Sequence, residues 1–509
     1  MDKKTFRRQL FEIIYVRFSF ILIIILFSLN SYADNRGTLR LPRNTISWGG
    51  KESIDPASPT FFLPVNWILY ERLVYPDENG MPTPLLAESW TSNTQCTNFT
   101  FKIRKNVQFH NNKPLTAHDI VYTFQHILDP STESPSAAVL KIIKKFEVLN
   151  DHTLVFHLNQ SHADFPILLM HFTMGIIPEN SADTIESTGI GTGAFKLEKL
   201  DLNGTTTLVA NDHYWKGHPG LKKIEIHNIK QTMIAAYALL DNKIDYVSEI
   251  SLLQVSMFKN DKNFTVQHIP VGKLHDLVMN TKVAPFNDVN VRKAFKLVIN
   301  RDQMLEQVAR GEGIIGYDHP IWPIDQYHLK LDLKQNINKA KEFLKKAGYP
   351  NGLEISLHVS DVDAYMVTMG LVYKKMAKKA GIHINLELHP DDIYWNEIWM
   401  KKPFCGGHWL MRNADQILSE TLQSGAKWNE SYWENSKFDQ LLFKARGATD
   451  KTIRTKLYHD IQRLISEEGG IIVPFFEKTI RVLNSNVKGI ADNQMDHFID
   501  WYSITKTEP

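Results

Sequence analysis

Apolar and polar residues alternate in two separate parts of the chain, and this period of two predicts β-strands. In the first part, residues 99–109 and Thr153–Leu158 alternate in this way. Residues 115–128 lie between them, with apolar side chains at helical spacing after Thr116, a residue type that caps helices. This region is predicted to form a strand, a helix and a second strand.

The second part of the chain gives a clearer pattern. Residues 353–359 and 382–388 alternate between apolar and polar positions. Residues 364–380 have a helical composition with a lysine-rich end, and Gly381 stands where a glycine ends a helix. A strand, a helix and a strand in this order predict a βαβ unit with parallel strands and therefore an α/β architecture.

Two further helices are predicted beside this unit. Asp288 is placed to cap a helix that runs to Arg310 and stops at Gly311, and residues 338–348 form the second. A chain of 509 residues is longer than a single core usually supports, so two or three domains are expected.

The first 33 residues predict a cleaved secretory signal peptide. Basic residues from Lys3 to Arg17 precede an apolar run, residues 18–29, which ends before the small-x-small pattern Ser31-Tyr32-Ala33. The alternative is an uncleaved membrane anchor, but the run is shorter than the roughly 20 apolar residues that span a bilayer. We therefore expect secretion into the periplasm.

Net charge and cysteine content limit which partners and which covalent modifications we expect for the mature chain. Removal of residues 1–33 changes the formal charge from +2 to −1, so the mature chain has no overall bias towards nucleic acids or anionic membranes. The two cysteines, Cys96 and Cys405, both lie far from the signal junction. A lipoprotein is therefore not expected, and the cysteines form either one disulfide or two buried free thiols.

Several patterns that suggest chemistry have simpler explanations. Residues 311–316 have the G-x-G-x-x-G spacing, but a helix precedes them where a dinucleotide site needs a strand, so a turn is predicted. Gly189, Gly191 and Gly193 lack a following phosphate-binding motif and indicate close backbone packing. The 20 histidines form no compact set of metal ligands in the sequence. We expect no metal, no cofactor and no catalytic residues.

Aromatic residues are dense in the later half of the chain. Large rings suit a recognition pocket because they offer apolar area at low conformational cost, although core packing is the favoured explanation for any single one. Five tryptophans fall within 40 residues of one another: Trp395, Trp399, Trp409, Trp428 and Trp433.

Six segments along the chain form an ordered set. They are residues 85–90 (LLAESW), 99–110 (FTFKIRKNVQFH), 115–124 (LTAHDIVYTF), 191–195 (GTGAF), 211–215 (NDHYW) and 285–294 (PFNDVNVRKA). Together they resemble the peptide- and nickel-binding family (family 5) of periplasmic solute receptors of ABC transporters, which contains the dipeptide and oligopeptide receptors.

The resemblance implies a two-lobed α/β fold of the type II periplasmic binding proteins, with an extra subdomain inserted in the first lobe. It divides the chain into lobe I (residues 34–69, 191–275 and 484–509), the inserted subdomain (70–190) and lobe II (276–483). The chain is expected to act as a monomer, to close around a solute at the hinge, and to present it to membrane permease and ATPase subunits.

The resemblance also marks a ligand segment, residues 405–415 (CGGHWLMRNAD). Peptide receptors of this family carry a tryptophan followed three residues later by an aspartate that pairs with the peptide ammonium group. Trp409 matches the tryptophan, but Arg412 occupies the aspartate's position. We predict that Arg412 anchors an acidic ligand group, with an internal ion pair as the alternative, that Asp415 takes the cationic end, and that Trp395 lies nearby.

The expected function is that of the extracytoplasmic substrate-binding component of an ABC importer, capturing a peptide or a similar small polar solute. The alternatives are a receptor for a non-peptide acidic solute, such as an opine-like or sugar-phosphate conjugate, or for a metal chelate. A secreted hydrolase and a periplasmic chaperone or signalling adaptor remain more distant alternatives.

Overall fold

A computed structural model describes most of the chain. The described residues are 36–43, 52–77, 80–270, 273–363, 365–390, 393–492 and 498–507. The predicted signal peptide, residues 1–33, lies outside them. Among the described helices, none combines the length and the apolar character needed to cross a membrane.

The described strands are numbered in chain order. They are β1 (Thr38–Pro42), β2 (Val74–Pro76), β3 (Pro82–Pro84), β4 (Ala87–Ser92), β5 (Asn98–Ile103), β6 (Ile143–Asn150), β7 (Thr153–Leu158), β8 (Phe195–Lys199), β9 (Thr205–Ala210), β10 (Lys223–His227), β11 (Tyr246–Val247), β12 (Phe264–Ile269), β13 (Lys273–Met279), β14 (Gly313–Ile315), β15 (Leu353–Ser360), β16 (Ile382–His389), β17 (Phe404–Leu410), β18 (Ile471–Glu477), β19 (Thr479–Asn484), β20 (Val487–Lys488) and β21 (Thr505–Lys506).

The helices complete the set of elements. The α-helices span Val65–Leu69, Ala117–Leu128, Ala137–Leu140, Phe165–Leu168, Ile185–Thr188, Thr232–Leu240, Leu252–Val255, Val289–Leu297, Arg301–Ala309, Ile337–Lys346, Met366–Lys378, Ala414–Thr421, Ser436–Gly447 and Lys451–Glu468. A π-helix spans Tyr394–Ile398, and short 3-10 helices span Pro130–Thr132 and Trp501–Ser503.

Lobe II is built on a six-stranded sheet in the order β14-β18-β13-β17-β15-β16. The predicted βαβ unit is confirmed, because β15 and β16 pair in parallel with the helix Met366–Lys378 between them. Apolar side chains alternate between the two faces, so a separate core packs on each face. The sheet is thus the covered layer of an α/β unit.

The chain passes between the lobes twice, from β12 to β13 and from β18 to β19. β19 pairs with β11 and β12 in a three-stranded sheet of lobe I, whereas β13 and β18 pair within lobe II. Strand pairing assigns residues 273–275 to the six-stranded sheet and residues 479–483 to the three-stranded sheet. The exact limits of lobe II, 276–483, stay a prediction.

The region predicted as an inserted subdomain has its own antiparallel sheet, β4-β5-β7-β6, and its own apolar core. The strand Thr153–Leu158 is confirmed, and the strand predicted over residues 99–109 ends at Ile103. The predicted helix is confirmed over Ala117–Leu128, where Thr116 and Asp119 form a reciprocal capping box. The exact limits of the subdomain, 70–190, stay a prediction.

The single helix predicted from Asp288 to Arg310 is wrong, because the structure has two helices there. Asp288 caps the first, Val289–Leu297, as predicted. The side chain of Asn300 then accepts the backbone N–H of Gln303 at 2.9 Å and starts the second helix, Arg301–Ala309. An asparagine within an apolar pattern can accept a hydrogen bond from a free backbone N–H at the start of a new helix. The spacing of apolar residues alone does not reveal such a cap.

The glycine interpretations are confirmed. A Cβ at Gly191 or Gly193 would overlap the carbonyl groups of residues 68 and 69, so this cluster allows close backbone packing. Gly311 has a φ of +78° and forms a turn between the helix Arg301–Ala309 and β14. Cys96 and Cys405 are buried free thiols in two different cores.

Candidate ligand-binding site

Five polar residues meet at the edge of the lobe II sheet that faces the hinge. At this edge the chain enters lobe II through β13 and leaves it through β18, and β15, β17 and β18 all end there. In open α/β sheets, ligands bind outside the carboxyl ends of the strands. We call the group the hinge-edge cluster: Lys273, His275, Asp363, His408 and Glu477.

The members of the hinge-edge cluster are linked through Asp363. Its carboxylate lies 3.4 Å from His275 Nδ1, 3.3 Å from His408 Nδ1 and 3.8 Å from Lys273 Nζ. The other ring nitrogen of His275, Nε2, lies 2.6 Å from Glu477 Oε2. One buried histidine is thus held between two carboxylates.

The cluster reaches across the hinge to Glu249 of lobe I, whose Oε1 lies 3.7 Å from Lys273 Nζ. His275, Asp363 and Glu477 are buried, but the side chains of Lys273, His408 and Glu249 are 26%, 22% and 49% exposed. The exposed members form the surface that a ligand between the lobes can touch.

Burial and neighbouring charges set the protonation of the two histidines in this cluster. Burial lowers the pKa of His275, but Asp363 and Glu477 outweigh it, so its pKa is raised and the protonated form is favoured. Burial lowers the pKa of His408 to about 4, which leaves this ring neutral. Three carboxylates, those of Asp363, Glu477 and Glu249, lie around Lys273. The pKa of Lys273 is raised despite its burial, because these three acids surround it.

A row of indole rings runs from the cluster into lobe II. The Trp395 ring lies edge-on to His408 with the centroids 5.2 Å apart, and it contacts Trp399 at 5.5 Å. Trp399 contacts Trp409, which in turn contacts Trp428. Trp395 is half-buried beside the cluster, and its contact with a ligand stays a prediction. Trp409 is 9% exposed and packs in the core.

Two buried acids, Glu430 and Asp276, hold the indole ring of Trp409 in place. Its indole N–H donates to Glu430 Oε1 at 2.9 Å, and that of Trp399 donates to Glu430 Oε2 at 2.8 Å. Glu430 is hydrogen-bonded to Asp276, and burial together with Glu430 raises the pKa of Asp276 well above its usual range. We infer that this pair holds one shared proton, on Asp276. A Cβ at Gly407 would overlap Asp276, which explains the glycine there.

Arg412 lies just beyond the end of β17 and makes the ion pair that we gave as the alternative. Its Nε lies 3.1 Å from Glu420 Oε2, and its Nη1 donates to the carbonyl of Leu410 at 3.1 Å. Nη2 makes no hydrogen bond to any described residue, and the side chain is 18% exposed. These bonds hold the guanidinium in place and leave the N–H groups of Nη2 available to a ligand. Anchoring of a ligand by Arg412 stays a prediction.

Asp415 lies elsewhere, where lobe II contacts the inserted subdomain. Its carboxylate lies 2.7 Å from Arg446 Nε and 3.2 Å from His162 Nε2. Burial raises the pKa of Asp415, but Arg446 and His162 outweigh it, so the pKa is held well below its usual range. Contact of Asp415 with a ligand stays a prediction, and its two partners argue against it.

A second buried polar group stabilises the same contact between lobe II and the inserted subdomain. The hydroxyl of Tyr327 donates to Asp164 Oδ2 at 2.8 Å, and Arg454 Nη2 lies 3.3 Å from Asp164 Oδ1. The residues that meet here are far apart in the sequence, so local patterns did not reveal the contact.

Comparison with known proteins gives a consistent result. Residues 81–417 match the family described as "Bacterial extracellular solute-binding proteins, family 5 Middle". The chain is 26% identical over 464 residues to "Heme-binding protein A" of Haemophilus influenzae, covering 84% of each protein. It is 24% identical over 477 residues to "Periplasmic oligopeptide-binding protein OppA" of Salmonella typhimurium, covering 83% of this chain and 84% of the relative.

A solved structure shows the same fold. It is the ABC transporter-associated periplasmic binding protein DppA of Helicobacter pylori in complex with the peptide STSA. The two structures superpose with a TM-score of 0.76 at 23% identity, and the match covers 93% of this chain and 99% of the other. The predicted two-lobed fold of the periplasmic binding proteins is confirmed.

Proposed function

Because this chain belongs to the bacterial extracellular solute-binding proteins of family 5 and is the substrate-binding component of an ABC importer, we propose that its solute is a short peptide. The observation that carries this proposal is the concentration of carboxylates at the hinge-edge cluster. Together with Glu249, whose side chain is 49% exposed, Asp363 and Glu477 place three carboxylates at this edge of the sheet. A peptide α-ammonium group binds at this acidic surface.

The carboxylate at the other end of the peptide needs a positively charged partner. Arg412 can be that partner through its Nη2 atom. Glu420 and the carbonyl of Leu410 hold the guanidinium in place, so binding costs little side-chain entropy. Nη2 then donates to the ligand carboxylate. Trp395 supplies apolar contact beside the cluster without selecting a particular side chain.

The relatives support this choice of solute. The Salmonella protein is named for oligopeptide binding, and the Helicobacter structure holds the peptide STSA. Peptides in extended form are held largely through their main chain, which tolerates varied side chains.

The proposed setting is the periplasm. The leader, residues 1–33, is removed, and the mature chain is a freely diffusing monomer without a lipid anchor. It closes around the peptide and presents it to the permease and ATPase subunits of the importer. It binds the peptide without converting it, so it is not an enzyme.

Calorimetric titration of a tripeptide and its two blocked forms tests the proposal. We expect stoichiometric binding of the free tripeptide by the mature protein. N-acetylation and C-amidation should each weaken binding at least about 10-fold, since a hydrogen bond to a charged group is worth about 1.5–3 kcal/mol. No binding by any of a panel of di- to pentapeptides would contradict the proposal.

Two matched variants test whether Arg412 binds the carboxylate end of the peptide. R412A should bind the free and the amidated tripeptide equally weakly, because it lacks the donor for the carboxylate. E420Q loses the same ion pair but keeps the arginine, so it should still discriminate between the two ligands. If R412A retained the preference for the free carboxylate, Arg412 would be a structural residue.

A receptor for a non-peptide acidic solute is the second candidate, and the remaining donor of Arg412 favours it. Such a solute has a carboxylate but needs no ammonium group. In the same titration series, this candidate predicts that no peptide binds, whereas an acidic solute binds wild type and not R412A.

A further inference from the structure

Parallel pairing of β15 with β16 brings together three metal-binding side chains. His358 of β15 lies opposite Glu387 of β16, and Ser360 lies opposite His389. One potential ligand atom from each of His358, Glu387 and His389 lies within 4.8 Å of the other two. Two of these residues lie on one strand and the third on its neighbour, so the sequence alone does not show them as a compact set.

The spacing of the atoms suits a coordination sphere. His358 Nδ1 lies 2.9 Å from His389 Nε2 and 3.4 Å from Glu387 Oε2. Two ligand atoms about 2.1 Å from a tetrahedral Zn²⁺ lie roughly 3.4 Å apart. A metal ion would replace the hydrogen bond between the two ring nitrogens, which must move about 0.5 Å further apart to reach this spacing. Two imidazoles and one carboxylate match the donor types that Zn²⁺ and its neighbours in the first transition row prefer.

The backbone that carries one of the ligands is anchored by a buried side chain. The Tyr394 hydroxyl donates to the carbonyl of His358 at 3.0 Å, which fixes β15 at this point.

We propose that His358, Glu387 and His389 form a binding site for a divalent transition-metal ion of the Zn²⁺ type, separate from the hinge-edge cluster. His358 is 6% exposed and lines a surface pocket with Ser356 and Lys402. A fourth ligand, water or a small anion, would complete a tetrahedral site. The ammonium group of Lys402 opposes the cation but can hold such an anion.

Zinc titration of tag-free mature protein, stripped with a chelator, tests this site. We expect wild type to bind one equivalent of Zn²⁺ in competition with a chromophoric chelator. H389A and E387Q should bind at least about 10-fold more weakly, since each lacks one of three protein ligands. Co²⁺ should give visible absorption bands in wild type that both variants lose.

His383 provides the matched control because it lies on the same strand and is exposed. H383A should bind Zn²⁺ like wild type, and the circular dichroism of all variants should match, which excludes unfolding. Failure of wild type to bind Zn²⁺, or binding by H389A that equals wild type, would overturn the proposal. The peptide titrations are independent of this result.

Discussion

Replacing Asp415 with alanine is expected to lower the free energy of unfolding by about 3–5 kcal/mol, the usual cost of removing one partner from a buried ion pair. Asp415 is 7% exposed and satisfies both Arg446, at 2.7 Å, and His162, at 3.2 Å. Without it, Arg446 keeps a largely buried charge with no carboxylate. Urea denaturation at pH 7 measures the loss.

The pH dependence identifies the source of this stability. The folded state holds the pKa of Asp415 well below its usual range, so the carboxylate stabilises the fold above about pH 4, where the unfolded group is also ionised. This contribution is lost as the pH falls towards the folded pKa. The difference between wild type and D415A should therefore shrink below about pH 4.

Asp460 provides a matched control for D415A. It pairs with Lys456 at 2.6 Å and Arg463 at 3.1 Å, but its side chain is 33% exposed. Exposed ion pairs contribute up to about 1 kcal/mol, so D460A should change stability by no more than that. Equal effects of D460A and D415A would contradict the assignment of Asp415 to a buried interface.

The second large effect is expected at Asp276, where a substitution should stabilise the protein. The raised pKa of Asp276 means that the folded state keeps it protonated, while the unfolded chain releases the proton above about pH 4. Wild type therefore loses stability as the pH rises towards the folded pKa. The amide of D276N is neutral and can still donate to Glu430, so its advantage should grow by up to about 1.4 kcal/mol per pH unit.

The partner acid should behave in the opposite way. Both oxygens of Glu430 accept indole N–H groups, from Trp399 and Trp409. E430Q places an amide NH₂ against one of these donors and leaves a buried N–H unpaired, at a cost of about 1–3 kcal/mol. Thermal unfolding of both variants between pH 5 and 8 tests this. Stabilisation by E430Q with destabilisation by D276N would place the shared proton on Glu430.

The fold was predictable where the spacing of apolar residues along a short segment matched the period of a single strand or helix. The alternation of residues 353–359 and 382–388 predicts two strands, and the helix between them predicts their parallel pairing. The helix that begins after Asp288 was predicted too long because Asn300 interrupts it by capping, which apolar spacing does not register. The leader remains a prediction from sequence alone.

The candidate site was only partly predictable because its parts come from distant strands. The segment of residues 405–415 led to Trp409 and Arg412, and its histidine, His408, does belong to the hinge-edge cluster. Lys273 and Glu477 became relevant only when the chain crossings placed the start of β13 beside the end of β18. The contact of Asp415 with His162 joins residues 253 positions apart, and no periodicity reports such a pair.

Native mass spectrometry of the mature protein, incubated with a mixed peptide digest and then desalted, tests most directly whether this chain captures peptides. We expect a 1:1 complex with intact short peptides, which are released unchanged when the protein unfolds. A protein that stays free of peptide, or that shortens the peptides without retaining them, would contradict the account.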